Sequence, residues 1–506
     1  MFSNFIISNF IYTRFISKLD FIKNIPTTKK NQNPTHSVNS QNSLNLLIGL
    51  NKETNSKIYI KESGLYQNFL ITGTIGSGKT SSAMYPFTKQ LIQYNHKNPN
   101  NKIGMLILDV KGNYHIQVQK FVKEYDLQKD LITIGLNSNC FYNPLHKPKL
   151  KPQVLADRLK TILLLFSENN SESYWIDKAC QVICEAIKLC RLYNNNYVTF
   201  LELHKLITTP NYFNEKIEIL KNLFISSKFN EKQIYELNEC LDFFQKEFYE
   251  LDSRTKGIII SEITRITGTF ITDYDVMSTF CPPKNKLNFK GFNEVIKKGK
   301  IVVLDMNISE YSQLSKIIAT YLKLDFQSEI MSNLSTNSIK TTAFICDEYD
   351  KYASKTDSEF FSLSREAKCI NIISTQSYSS LKLPLKDDYQ VRVLIQNLIN
   401  KIWFRTDDIF TIEEAQKQLG KEEKKRTSKS ISENAKQTHF NFITNSLNSK
   451  DSNISETFST YTQKDYIFDN NFFSQKLETF TALTFLSDGN SILKPQKLKL
   501  LPYFKK

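Results

Sequence analysis

Apolar residues along this chain gather into short continuous runs that end on polar or acidic residues, and few of the runs alternate. "IGMLILDVKG" (103–112), "LITIGLN" (131–137), "KIVVLDM" (300–306), "TTAFICDEYD" (341–350), "INIISTQS" (370–377) and "NKIWFRTDD" (400–408) all have this form. An unbroken apolar run of strand length predicts a parallel strand covered on both faces, because a half-exposed strand would alternate. Helical stretches separate the strands at 300, 341 and 370, so strand and helix alternate as in a doubly wound α/β sheet. Upstream, "LNLLIGLN" through "KIYIKESGLYQNFLITG" predicts short strands broken by Asn, Gly and Ser, with a helix from about Gly78 to Tyr94.

Helical spacing takes over after "FYNPLHKP". Residues 151–290, with stretches such as "WIDKACQVICEAIKLCRLY", predict an all-α insertion into the sheet domain. The expected organisation is an N-terminal segment and linker (1–43), a first part of the α/β domain (44–150), the insertion (151–290), a second part (291–420), a flexible or partly ordered excursion rich in Ser, Asn and Thr (421–464), and closing strands (465–506). The Asp-Gly in "LSDGN" predicts a turn between two of those last strands.

Composition narrows the class. A chain of 506 residues that is 40% hydrophobic and 23% charged is a globular protein with a sizeable core. Lys and Arg outnumber Asp and Glu by 66 to 51, which favours polyanionic partners or an anionic membrane surface without choosing between them. The eight cysteines form no CxxC pair, and the six histidines do not cluster near them, so neither a zinc site nor a disulfide framework is expected. "MFSNFIISNFIYTRFISKLDFIKNIP" is apolar and aromatic, but polar residues interrupt it well short of the ~20 apolar residues of a membrane span. It fits an interfacial amphipathic helix carrying Arg14, Lys18 and Lys23, a helix packed on the body, or a frayed terminus.

The chemistry centres on Gly73-Thr74-Ile75-Gly76-Ser77-Gly78-Lys79-Thr80, a single GxxxxGK[ST] match between an apolar strand and a helix. Its glycines let backbone N–H groups converge on phosphate oxygens, and the following helix adds a favourable dipole at its start, Ser81 included. Lys79 is placed to reach the β and γ phosphates of ATP, and the Thr80 hydroxyl to hold Mg²⁺. Such a loop needs a carboxylate on a neighbouring strand. Asp109 and the Asp347-Glu348 pair both qualify; the pair is preferred because Asp347 can orient the metal while Glu348 serves as general base on water. Gln376, at the end of the next apolar strand, is placed to contact the γ-phosphate or the attacking water. Arg365 fits either a finger into a neighbouring subunit's site or an ordinary surface arginine.

In order, these segments resemble the conjugative coupling proteins of type IV secretion systems, the TraG/TraD family within the FtsK/HerA branch of P-loop ATPases. "LITGTIGSGKTSSAMYP", "LILDVKGNY", "FYNPL", "FICDEYDKYAS", "SREAKCINIISTQSYSSL", "NLINKIWFRTDD…AQKQLG" and the final "LKLLPYF" carry the resemblance over about residues 44–506. It implies a RecA-like P-loop domain with an inserted all-α domain, assembled as a homo-hexameric Mg²⁺-dependent ATPase, and it implies catalytic roles for Lys79, Glu348, Gln376 and Arg365. The implied partners are sequence-tolerant single-stranded DNA, a relaxase and type IV secretion channel proteins, with the helical insertion recognising substrate. The chain departs from the family at Asn113, where an acidic residue is common, and at Lys368, where glycine is expected. Many members carry two N-terminal membrane spans; none is predicted here, so a cytoplasmic protein with peripheral contact at the inner face of the bacterial membrane is expected. Two other readings stay open: a nucleotide-regulated docking receptor for secreted proteins, and a HerA-like DNA-processing helicase.

Overall fold

The apolar runs pair as neighbouring strands of one sheet in the computed structural model, which describes residues 43–166, 173–226, 229–335, 339–433, 438–449 and 454–504. The amphipathic N-terminal segment, with Arg14, Lys18 and Lys23, lies outside the described residues. In chain order the strands are β1 (Asn45–Asn51), β2 (Lys57–Lys61), β3 (Phe69–Thr72), β4 (Gly104–Leu108), β5 (Leu131–Ile134), β6 (Ile301–Leu304), β7 (Thr342–Cys346), β8 (Cys369–Thr375), β9 (Asn400–Trp403), β10 (Lys421–Glu433), β11 (Thr438–Asn441), β12 (Ser446–Ser449), β13 (Ile454–Tyr466), β14 (Thr481–Phe485) and β15 (Gln496–Lys499). Eleven of them form the sheet β2-β1-β15-β14-β9-β3-β8-β7-β4-β6-β5. The stretch from β9 to β5 is parallel, and β14, β15, β1 and β2 extend it antiparallel.

Burial explains the unbroken apolar runs. Every residue of β3, β4, β6, β7, β8 and β9 is buried, because helices cover both faces. On one face lie α1 (Tyr85–Gln93) and α2 (Tyr114–Glu124), whose Phe87, Leu91, Val118 and Phe121 pack with β-strand residues such as Ile71, Met105 and Ile345. The other face shares a continuous core with the helices of the insertion.

The insertion contains α3 (Pro152–Phe166), α4 (Ser173–Tyr193), α5 (Phe200–Thr208), α6 (Pro210–Ile225), α7 (Glu231–Asp242), α8 (Ser253–Thr267) and α9 (Tyr274–Phe280). No strand lies among its described residues. Local chemistry sets its boundaries: the Thr199 hydroxyl caps α5, Asn230 and Gln233 form a reciprocal capping box on α7, and Asp252 caps α8. The chain then returns to the sheet through α10 (Phe292–Lys298) and β6, followed by the long α11 (Ile308–Ser332), whose Ala319, Tyr321 and Phe326 are buried.

Two buried ion clusters tie α11 to its surroundings. Asp325 accepts from Lys147 (2.5 Å) and from Arg158 on α3 (2.9 Å), joining the insertion to the loop after β5. Lys323, with its side chain wholly buried, pairs with Asp357 (2.6 Å) and donates to the Tyr352 carbonyl (2.6 Å), fixing the segment after β7.

The Ser- and Thr-rich stretch forms an arm. β10 and β13 pair antiparallel from Lys421↔Tyr466 to Glu433↔Ile454, without joining the main sheet. Cross-strand pairs run along it: Arg426 bonds Asp465 (2.6 Å), Lys429 bonds Glu456 (2.8 Å), and Lys421 lies 4.7 Å from the Tyr466 ring centroid. Because its exposed strands need no apolar face, the sequence carries no period-2 hydrophobic signature there.

Candidate nucleotide site

The topology brings the predicted segments to one edge. In a parallel sheet the carboxyl ends of the strands face the same way, and the loops after β3, β4, β7, β8 and β9 therefore meet. The loop after β3 is tied in on both flanks: the Gly73 N–H donates to the Gln376 carbonyl (3.2 Å) and the Thr74 N–H to the Arg405 carbonyl (2.8 Å). Gly73, Gly76 and Gly78 all have positive φ. At Gly78 the requirement is double, since φ is +102° and a Cβ would stand 2.5 Å from Phe480 Cδ1. Ser77 closes the loop through its hydroxyl to the Thr74 carbonyl (2.7 Å), while Ile75 stands exposed at the tip.

The helix that follows opens as a single π turn, Thr80–Met84, before continuing as α1. Such turns recur at functional sites, where the wider backbone re-aims side chains. Lys79 is buried, and its Nζ donates to the Gly73 and Thr74 carbonyls at 2.5 and 3.2 Å. Burial lowers its pKa below the ordinary lysine value, opposed by the charge of Asp347.

Thr80 and Asp347 come together directly. The Thr80 hydroxyl donates to Asp347 Oδ2 at 2.7 Å. The other carboxylate oxygen accepts from the Ser374 hydroxyl on β8 and from the Glu348 N–H at 3.1 Å. A hydroxyl and a carboxylate oriented in this way are hard oxygen donors, which suit Mg²⁺. Among the described residues no cluster of three or more His, Cys, Asp or Glu offers an alternative metal cage. Glu348 sits beside them in the left-handed region (φ 51°, ψ 48°), a costly conformation for glutamate and one that collects at functional sites. Its carboxylate, 16% exposed, bonds Lys111 at 2.8 Å. Burial works to lower the Lys111 pKa, but the hydrogen bond and charge of Glu348 outweigh it and leave the ammonium above its usual value.

Asp109, the other predicted carboxylate, is occupied differently. It accepts from the N–H groups of Lys111 (3.1 Å), Asn113 and Tyr114 (both 3.2 Å), and so caps the start of α2. Burial raises its pKa, the nearby charge of Asp347 adds to this, and the three backbone donors oppose it. Gln376 follows β8 at the same edge as the phosphate loop. Arg365 does not join it. It precedes β8, at the amino end of that strand, where it is exposed and donates to the Gly489 carbonyl at 3.4 Å. Three residues on, Lys368 has φ +50°, which accounts for a glycine preference at that place.

Sequence reasoning passed over Lys111 and Ser374, the immediate partners of Glu348 and Asp347. Lys111 stood in a quoted segment, and Ser374 is a hydroxyl inside an apolar run; a buried polar residue in such a run is the signal that was available.

Residues 341–463 match the family model described as the TraM recognition site of TraD and TraG. No curated protein matches the chain. Among solved structures, the bacterial conjugative coupling protein TrwBdeltaN70 in an unbound monoclinic form aligns with a TM-score of 0.58 at 11% identity, covering 88% of this chain and 87% of that one. The plasmid coupling protein TrwB in complex with ADP and Mg²⁺ aligns at 0.56 and 12% identity, over 87% and 86%. VirB4 of Thermoanaerobacter pseudethanolicus aligns at 0.51 and 11% identity, over 91% and 97%. At these identities the alignments establish the fold, a P-loop α/β domain with an all-α domain.

Proposed function

We propose that this chain, a type IV secretion coupling protein of the TraG/TraD type with a role in conjugative DNA transfer, is an ATP-driven motor that recruits relaxase-bound single-stranded DNA to the secretion channel and helps translocate it. The observation that supports the reading is the Thr80–Asp347–Ser374 chain of hydrogen bonds, which sets a hydroxyl and a carboxylate, both suited to a hard cation, beside the loop after β3. Gly73 through Ser81 would cradle the triphosphate, Lys79 would exchange its loop carbonyls for phosphate oxygens, and Thr80 with Asp347 would hold Mg²⁺. The metal, when bound, would neutralise charge on the β and γ phosphates.

Glu348 is the proposed base. Its carboxylate pairs with the Lys111 ammonium at 2.8 Å and follows Asp347 directly, so a carboxylate that can take a proton from water stands beside the loop. Gln376 is the proposed γ-phosphate contact, and its carbonyl bond to Gly73 gives that contact a direct path to the loop. Arg365 lies at the far edge of the sheet from its own phosphate loop, so any catalytic role must be played in a neighbouring subunit; we propose a homo-hexameric ring on that basis. The helices between 151 and 290 are the proposed substrate-recognition region. Their buried Arg158–Asp325–Lys147 junction would couple them to the motor.

A docking role is favoured by one further observation. The family segment is described as a recognition site for TraM, and it implies relaxosome protein partners for residues 341–463. Peripheral contact with the membrane's inner face is proposed for the N-terminal segment; no described helix is long and apolar enough to cross a membrane. The test is ATP hydrolysis with and without single-stranded DNA at low salt: stimulation is expected, and a rate indifferent to DNA would remove DNA pumping from the account.

A further inference from the structure

Residues 500–504 form a tail that folds back onto the phosphate loop. After β15 the Leu500 N–H donates to the Phe480 carbonyl (2.8 Å), the Phe480 N–H to the Ser77 carbonyl (3.1 Å) and the Tyr503 N–H to the Ser81 carbonyl (2.9 Å). Main-chain bonds thus pin residues 480 and 503 against both ends of the segment Ser77–Ser81. The side chains form a contiguous aromatic group: Tyr85 meets Tyr503 edge-on at 5.2 Å, Tyr503 meets Phe504 at 5.4 Å, and Phe480 meets Phe504 at 6.0 Å. Tyr503 is 44% exposed and Phe504 57%, so ring area remains open to solvent beside the loop. Exposed apolar surface gathered in one place is a feature of ligand and partner sites, and this group lies against the phosphate loop.

Sheet order shows which part of a nucleotide would meet them. β3 is flanked by β8 and β7 on one side, bringing Gln376, Asp347 and Glu348, and by β9, β14 and β15 on the other, bringing Phe480 and the terminal tail. The reacting γ-phosphate must lie toward the carboxylates. The nucleoside then leaves the loop by way of Gly78–Ser81, where the tail is bonded.

We infer that Phe480, Tyr503 and Phe504 form the base-binding platform of the nucleotide site, holding the aromatic base of a nucleoside triphosphate by stacking. Stacking on ring faces reads no hydrogen-bond pattern, so such a platform is tolerant of which base it holds. The inference rests on the reading of Gly73–Ser81 as the phosphate site.

Calorimetric titration of the full chain with ATP, GTP and inorganic tripolyphosphate, each with Mg²⁺, tests it. The double variant Tyr503→Ala/Phe504→Ala keeps the main-chain bonds to Ser81. It should bind ATP and GTP about tenfold more weakly, or worse, with tripolyphosphate affinity unchanged, while Tyr503→Phe should bind all three as wild type does. Unchanged nucleotide affinity, an equal fall for all three probes, or a loss confined to one nucleotide would overturn the platform. Lys79→Ala separates the underlying reading, since it should weaken all three probes; tripolyphosphate binding untouched by that change would refute the phosphate site itself.

Discussion

The carboxyl edge of the sheet and the β10–β13 arm are opposite solutions to placing charge. At the edge, Asp347, Asp109 and Lys79 are buried and each has protein partners within hydrogen-bonding distance. On the arm, Arg426, Lys429 and Glu456 stand in solvent and Asp465 is only half-buried, across a ribbon with no apolar face. Buried polar groups are costly unless fully satisfied, so the edge tolerates few substitutions, whereas exposed pairs contribute little and can change freely. Function sensitive to single atoms therefore belongs to the edge, and the arm is suited to a surface whose partner can vary.

The largest expected effects are at the edge. Lys79→Ala and Glu348→Gln should each lower ATP hydrolysis by about a hundredfold or more while leaving the melting temperature near that of wild type; a steady-state phosphate-release assay beside thermal unfolding checks both. Next comes Asp357→Ala, which strands the buried Lys323 ammonium and should cost about 3–5 kcal/mol in denaturant unfolding. If that variant were as stable as wild type, the contrast between buried and exposed charge would lose its basis.

A third effect depends on pH. Lys401 on β9 is buried, donating to the Ile395 carbonyl at 2.8 Å and to that of Leu398, and burial pulls its pKa from 10.5 down to about 7. Between those values the unfolded chain holds the extra proton, so folding stability rises with pH through this group. Relative to Lys401→Met, wild type should gain about 1–2 kcal/mol between pH 7 and 8.5; the thiols, which ionise over the same range in both unfolded chains, cancel in that difference. A flat difference would place the ammonium in a charged, compensated site. The smallest effect belongs to the arm: Lys429→Ala and Arg426→Ala should each shift the melting temperature by less than about 1 °C and leave basal hydrolysis alone.

The same contrast explains what could be read from the chain alone. β3, β4, β6, β7 and β8 were legible because strands covered on both faces write unbroken apolar runs, and the phosphate loop because its glycines and Lys79-Thr80 occupy fixed offsets. The pairing of Glu348 with Lys111 was not legible, since it depends on β7 lying beside β4 across more than two hundred residues of chain. Ser374 on Asp347 depends likewise on β8 lying beside β7. The arm was hidden for the opposite reason: with solvent around its described side chains, Ser, Thr and Lys suffice to form strands, and composition resembles that of a linker. The position of Arg365 needed the strand direction of β8, which no local pattern supplies.

The central claim is that hydrolysis at this edge moves DNA. It is tested most directly by displacement of a protein block from the end of labelled single-stranded DNA. Wild type should clear the block with ATP and Mg²⁺, and not with a non-hydrolysable analogue, while Glu348→Gln should bind the strand and leave the block in place. Clearance that proceeds equally with the analogue, or DNA-stimulated hydrolysis that never clears the block, would contradict it.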